Sequence, residues 1–260
     1  MEEQTDELIH YRVEGSTASL TLDSPRNRNA LSRRLVAQLF DGLGRAEQDD
    51  AVTAVLIRAT GTTFCSGADL SEASGEGTEK ARAGRRGAAG VLVDLQRRIV
   101  TLAKPVVTRV HGNVRAGGIG IVAASDIAIS AEDATYAFTE VRLGLTPAAI
   151  SLTVLPRLTD RAAALTFLTG ETFDGAAAEA MGLVTTAVPE EALDAEVERV
   201  CSALAKGNPQ GLHETKKLVG RHLVERIDRD GADLAALSAR LFGSDEAKAA
   251  MRAFLERKNR

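Results

Sequence analysis

The chain has 260 residues, 44% hydrophobic and 26% charged, with a net charge of −4, a globular composition long enough to bury a core. It carries no basic excess to mark a nucleic-acid partner, and no apolar run approaches the roughly 20 residues of a membrane span. Two cysteines, Cys65 and Cys201, make no disulfide framework and no metal-ligand spacing, so no metal is expected. The acidic opening MEEQTDELIH lacks the basic and apolar regions of a secretory signal, and the expected compartment is the cytoplasm.

In chain order, Leu8 to Arg12 and Thr17 to Leu22 read as strands about a Gly15-Ser16 turn; the second alternates Ala18, Leu20 and Leu22 with polar residues. After the polar loop Ser24 to Asn29, Ser32 reads as the N-cap of a helix carrying Leu35, Leu39, Leu43 and Ala46. Val52 to Arg58 is a β-branched strand and Gly61 to Asp69 a loop. Ser71 to Gly90, rich in glycine and charge, reads as a loop leading into a helix from about Val91 to Ala103, which Lys104-Pro105 ends. Val106 to Val110 is a buried strand, His111 to Ala116 a loop, Gly117 to Ser125 a short helix, and Ile127 to Ser130 and Tyr136 to Phe138 further strands. Pro147 opens a helical region, and from Arg161 onward the pattern is nearly all helix, broken at Gly170, Gly182 and Pro189. Strand–strand–helix units recur without a repeat of fixed period.

Two segments carry a chemical pattern. In Gly61-Thr62-Thr63-Phe64-Cys65-Ser66-Gly67-Ala68-Asp69-Leu70 a glycine-bearing loop follows a strand. From Lys104-Pro105 through His111-Gly112 to Ala116-Gly117-Gly118-Ile119-Gly120, a strand feeds a glycine-rich loop that opens a helix, whose N-terminus presents free N–H groups. Two N–H donors aimed at one point would form an oxyanion hole.

Together with Asp126-Ile127, Glu140-Val141-Arg142-Leu143-Gly144-Leu145-Thr146-Pro147, Leu168-Thr169-Gly170 and Ala180-Met181-Gly182-Leu183-Val184, these segments resemble the signatures of the enoyl-CoA hydratase/isomerase (crotonase) superfamily, in register from about Leu8 to Lys258. The resemblance implies an α/β superhelix of strand–strand–helix turns over residues 1–195, and a C-terminal helical region over 196–260 that packs into trimers or hexamers, with Leu234, Leu237, Leu241 and Phe242 on its apolar side. It implies an acyl-CoA thioester as substrate, with coenzyme A part of that substrate and no separate cofactor. The N–H donors carry over to Ala68 and Gly117. The CoA adenine end would lie near Ser66, Gly67 and Asp69, with Arg26 and Arg28 on its phosphates and Phe242 and Lys258 as further contacts. Glu140 matches one catalytic glutamate of the hydratases; Gly120 stands where they carry the other. The string around Glu140 looks most like the methylglutaconyl-CoA hydratase kind.

With one carboxylate the chemistry branches. Glu140 could activate water for addition to a 2-enoyl thioester, or shuttle a proton between C2 and C4 as an isomerase; a catalytically silent acyl-CoA binder is the third reading. Gly118-Ile119-Gly120-Ile121-Val122-Ala123 also fits a dinucleotide-binding fingerprint, but its glycines do not follow the strand directly. His111 is expected in loop hydrogen bonding, Asp126 in a structural hydrogen bond and Cys65 not as a nucleophile.

Overall fold

The computed structural model describes residues 7–69 and 87–258. The basic run Lys80 to Arg86 and most of the glycine-rich stretch before it lie outside the described residues, as does the side chain of Lys258. Strands β1 (Ile9–Glu14) and β2 (Thr17–Leu22) form an antiparallel hairpin. The alternation in β2 is the reason: Ala18, Leu20 and Leu22 are fully buried. Helix α1 (Arg33–Gln48) starts where Ser32 Oγ accepts from the Leu35 N–H at 3.2 Å, and its stripe of Leu35, Leu39, Leu43 and Ala46 is fully buried.

Strands β3 (Ala54–Ala59), β5 (Val106–Val110), β7 (Ile127–Ala131) and β10 (Thr186–Val188) extend this hairpin in parallel, giving a six-stranded sheet of order β1-β2-β3-β5-β7-β10. A second sheet has the order β4-β6-β8-β9, from β4 (Thr63–Cys65), β6 (Asn113–Arg115), β8 (Thr135–Ala137) and β9 (Thr172–Asp174). Each of β3, β5 and β7 hands the chain to a short strand of the second sheet. Helices α2 (Ala88–Thr101) and α3 (Gly117–Ala124) bring it back; after β8 the chain runs through α4 (Ala148–Val154) to β9 of the second sheet and returns to the first only at β10. This is the expected winding of strand–strand–helix turns. The loops read at Gly61–Asp69 and His111–Ala116 each contain a three-residue strand, too short to show a period.

The C-terminal third holds α5 (Asp160–Thr169), α6 (Gly175–Met181), α7 (Glu190–Leu204), α8 (Pro209–Phe242) and α9 (Asp245–Lys258). Gly170 and Gly182 cap helices with φ of 63° and 90°, as the sequence breaks suggest. The nearly all-helical reading needs correcting: β9 and β10 interrupt it and complete the two sheets.

Helix α8 packs on α2 and α4. Lys216 pins it there: its ammonium reaches Asp126 Oδ2 at 2.8 Å, Ile99 O at 2.9 Å and Lys104 O at 3.0 Å, with 3% of the side chain exposed. Asp126 Oδ2 also accepts from the Val106 N–H at 2.7 Å, the structural role expected of it. Burial lowers the Lys216 pKa and Asp126 raises it in part. With every ammonium proton given an acceptor, the charge is tolerated inside the protein. Leu234 rests on the chain's own core, and Leu237, Leu241 and Phe242 are half-buried. The most exposed large apolar side chains lie elsewhere, at Leu165, Leu168, Leu218 and Val219.

Candidate active site

The loop before α1 is stitched to the loop after β4. The Ser66 N–H donates to Arg28 O at 3.1 Å, the Leu31 N–H to Gly67 O at 2.8 Å, and Ser66 Oγ to Asn27 O at 3.3 Å. Arg28 and Asn29 have φ of 58° and 52°. Asn29 holds that left-handed turn: its side chain is buried, accepts from the Ser24 N–H at 2.7 Å, and donates to Thr60 O at 3.0 Å and Thr63 O at 2.8 Å. Asn29 was missed as a supporting residue, although an asparagine in a polar loop is the available signal. Arg26 and Arg28 stand exposed on the same loop and make no ion pair among the described residues. Asp69 Oδ2 lies 3.4 Å from Asn27 Nδ2.

Against this loop lies the start of α3. The preceding residue, Ala116, has φ 45° and ψ −118°, a conformation that L-residues avoid and that the surrounding packing must hold. It turns the chain sharply into Gly117. A Cβ on Gly67 would lie 2.7 Å from Ala116 Cβ and 3.6 Å from Gly117 N, and a Cβ on Gly118 would lie 3.0 Å from Cys65 O. The two backbones therefore approach as closely as glycine permits. Among the turns, loops and caps of the described residues, neither the Ala68 nor the Gly117 N–H donates to a backbone carbonyl. Ala68 is exposed, whereas Gly117 is buried between Leu31 and Leu92. All eight residues of α3 are buried, and β6 separates it from β5, unlike the strand–glycine–helix order of a dinucleotide site.

Glu140 sits in a 3₁₀ turn, Thr139–Leu143. Phe138 and Phe167, with ring centroids 4.4 Å apart, support one end of that turn; α5 and α9 pack against it, and Ala247 Cα is 3.5 Å from the Cβ position of Gly144. Glu140 Oε2 is buried without a hydrogen-bond partner. Burial raises its pKa from the ordinary 4.5 to about 7, with its own backbone N–H pulling the other way. A carboxyl so placed exchanges a proton readily near neutral pH. Its turn leads through residues 144–147 into α4, and α4 packs on α3, so Glu140 and Gly117 are joined through this segment and the two helices.

Gly120 faces a wall. A Cβ there would lie 2.8 Å from Ile150 Cγ2 and 3.4 Å from both Cδ and Oε1 of Gln96. The volume beside Gly120 is occupied by other side chains.

Other candidates fall into structural roles. His111 Nδ1 lies 3.0 Å from an Arg109 guanidinium nitrogen and Nε2 lies 2.7 Å from Gly61 O, the loop hydrogen bonding expected. Cys65 is fully buried and its thiol pKa is pushed up to about 12 by burial, which makes it a poor nucleophile. A groove of ≈ 400 Å³, lined by Ser16, Leu56, Arg58, Arg109, Asp194 and Cys201 among others, shares no residue with these loops. No helix among the described residues is long and apolar enough to cross a membrane.

Comparison with known proteins bears on the family and the fold. Residues 12–260 match the family model described as enoyl-CoA hydratase/isomerase. The crystal structure of an enoyl-CoA hydratase from Mycobacterium avium is 45% identical and covers 97% of both chains, with a TM-score of 0.88. The short-chain-enoyl-CoA hydratase of Clostridium acetobutylicum is 29% identical over 94% of this chain and 93% of its own. The 1,2-epoxyphenylacetyl-CoA isomerase of Escherichia coli is also 29% identical, over 90% and 92%. Matched across nearly its whole length in sequence and in fold, the chain belongs to the enoyl-CoA hydratase/isomerase (crotonase) family.

Proposed function

We propose that the protein is an enoyl-CoA hydratase that works with one carboxylate. The observation that carries this reading is Glu140, whose buried, unpartnered Oε2 belongs to a carboxyl with a pKa of about 7. In the proposed reaction the thioester oxygen of a 2-enoyl-CoA accepts from the Ala68 and Gly117 N–H groups. The Glu140 carboxylate takes a proton from water as the water oxygen bonds to C3. The C2–C3 electron pair moves onto the thioester as an enolate, stabilised by the two donors. Glu140 then returns the proton to C2, so that one water has been added and the carboxylate is restored. Ser66, Gly67 and Asp69 would line the CoA path, with Arg26 and Arg28 contacting phosphate.

A second reading is favoured by the wall at Gly120. With no second acid, the same base could carry a proton between C4 and C2 of a 3-enoyl thioester and move the double bond. We further propose that the protein assembles as a trimer or a pair of trimers, supported by the exposed apolar side chains Leu165 and Leu168; a stable monomer in sedimentation at micromolar concentration would refute this.

Turnover of a panel of 2-enoyl- and 3-enoyl-CoA thioesters, followed by mass and absorbance, tests the function. Hydration of a 2-enoyl-CoA that falls roughly 10²–10⁴-fold in Glu140→Gln is expected. Full activity in that variant would sink the assignment. Double-bond migration without hydration would favour the second reading, and CoA binding without turnover of any thioester would identify a silent binder.

A further inference from the structure

We infer that Gln96 is a positioning residue for the reaction, setting the spacing between the Gly117 amide and the Glu140 turn. The inference rests on Glu140 acting as the base.

Gln96 projects from α2 and is fully buried. Its Nε2 donates to Leu92 O at 3.2 Å and Ala149 O at 3.1 Å, and its Oε1 accepts from Thr153 Oγ1 at 2.6 Å. Both amide protons are therefore placed and the acceptor is engaged. Two of these three bonds end on α4, the helix that continues from the Glu140 turn. The third ends on Leu92, whose side chain is 3.4 Å from the Cβ position of Gly117. One carboxamide thus ties the helix leading from the base to the residue lying against the oxyanion donor. It does so beside Gly120, in the space that a second carboxylate would need.

An apolar residue could fill that volume, but apolar contact is not directional and would let α4 slide. Three hydrogen bonds to one planar group are satisfied in one arrangement only. A displacement of about 1 Å between reacting groups can lower a rate by 10²-fold, so the strut should be visible in turnover while leaving CoA contacts untouched.

Gln96→Met keeps the length of the side chain and removes its hydrogen bonds. Assayed as the full-length protein on the 2-enoyl-CoA turned over best, at a temperature where circular dichroism shows it folded, this variant should lose about 10- to 100-fold in kcat with KM within about twofold. Thr153→Val cuts the same strut at its other end and should act in the same direction. The double variant should fall no further than Gln96→Met alone, because the two changes break one connection. If Gln96→Met does not fold, Thr153→Val decides by the same split of kcat from KM. A folded variant with kcat within twofold of wild type, or one altered only in thermal stability, overturns the inference. Glu140→Gln, measured alongside, separates the two ideas. Full activity there removes the base, whereas an inactive Glu140→Gln beside a fully active Gln96→Met removes only the strut.

Discussion

Replacing Glu140 by glutamine should change the protein's stability relative to wild type by an amount that rises with pH. In the folded chain burial lifts the carboxyl pKa from 4.5 to about 7. Below pH 4.5 the folded and unfolded chains both hold the proton, and the site adds no pH-dependent penalty. As pH rises through that interval the unfolded chain ionises first, so the folded state holds more protons and loses stability relative to it. Above about pH 7 both are ionised and the full penalty is present. At about 1.4 kcal/mol per pH unit this amounts to about 3 kcal/mol. Glutamine cannot ionise, so the variant escapes the penalty. The amide it leaves unpaired lowers stability by a similar amount at every pH. Urea unfolding of both proteins at one protein concentration gives the difference directly. The stability of Glu140→Gln minus that of wild type should rise by about 3 kcal/mol between pH 4 and pH 8.5. A difference flat across this range would show that Glu140 is hydrated and ordinary, and would remove the argument for a base tuned to neutral pH.

Gly117→Pro deletes one N–H donor and should lower kcat about 10²- to 10³-fold; steady-state kinetics with wild-type turnover would refute a role for that amide. Gly120→Glu should yield no extra hydration and lower stability by about 3 kcal/mol or more, because even its Cβ meets Ile150 at 2.8 Å and its carboxylate would be buried unpaired; thermal melting checks it, and a stable, faster hydratase would show that the wall yields. Lys216→Met leaves Asp126 short of its ammonium partner and should cost about 3 kcal/mol in urea unfolding, with no change in KM.

Much of this architecture could be read from particular residues. The alternation of Ala18, Leu20 and Leu22 identifies a half-buried strand, and Ser32 marks the start of α1 within one residue. The glycines around Ala68 and Gly117 announce close backbone approach. Strands of three residues cannot display a period, so β4, β6, β9 and β10 were lost among loops and helices; they exist because the neighbouring strand offers unpaired backbone groups. The vacancy at Gly120 was legible as an absence, but what occupies the space was not. Gln96 and Ile150 arrive from distant segments, and nothing local to residue 120 encodes them. The same holds for Glu140: the sequence singles it out as a candidate, while its raised proton affinity depends on burial contributed by the packed fold.

The winding of the chain also governs when the chemistry can first appear. Ala68, Gly117 and Glu140 follow three successive turns of the coil, so no contiguous fragment of one turn contains both proposed donors or a proposed donor with the proposed base. Parallel pairing between turns must wait for long crossovers to close, which makes such a sheet slow to nucleate. A ribosome-bound chain that has completed two turns already holds both amides, yet it lacks Glu140, the proposed base. On the proposed mechanism, reactive function is thereby deferred until more than half of the polypeptide has been made.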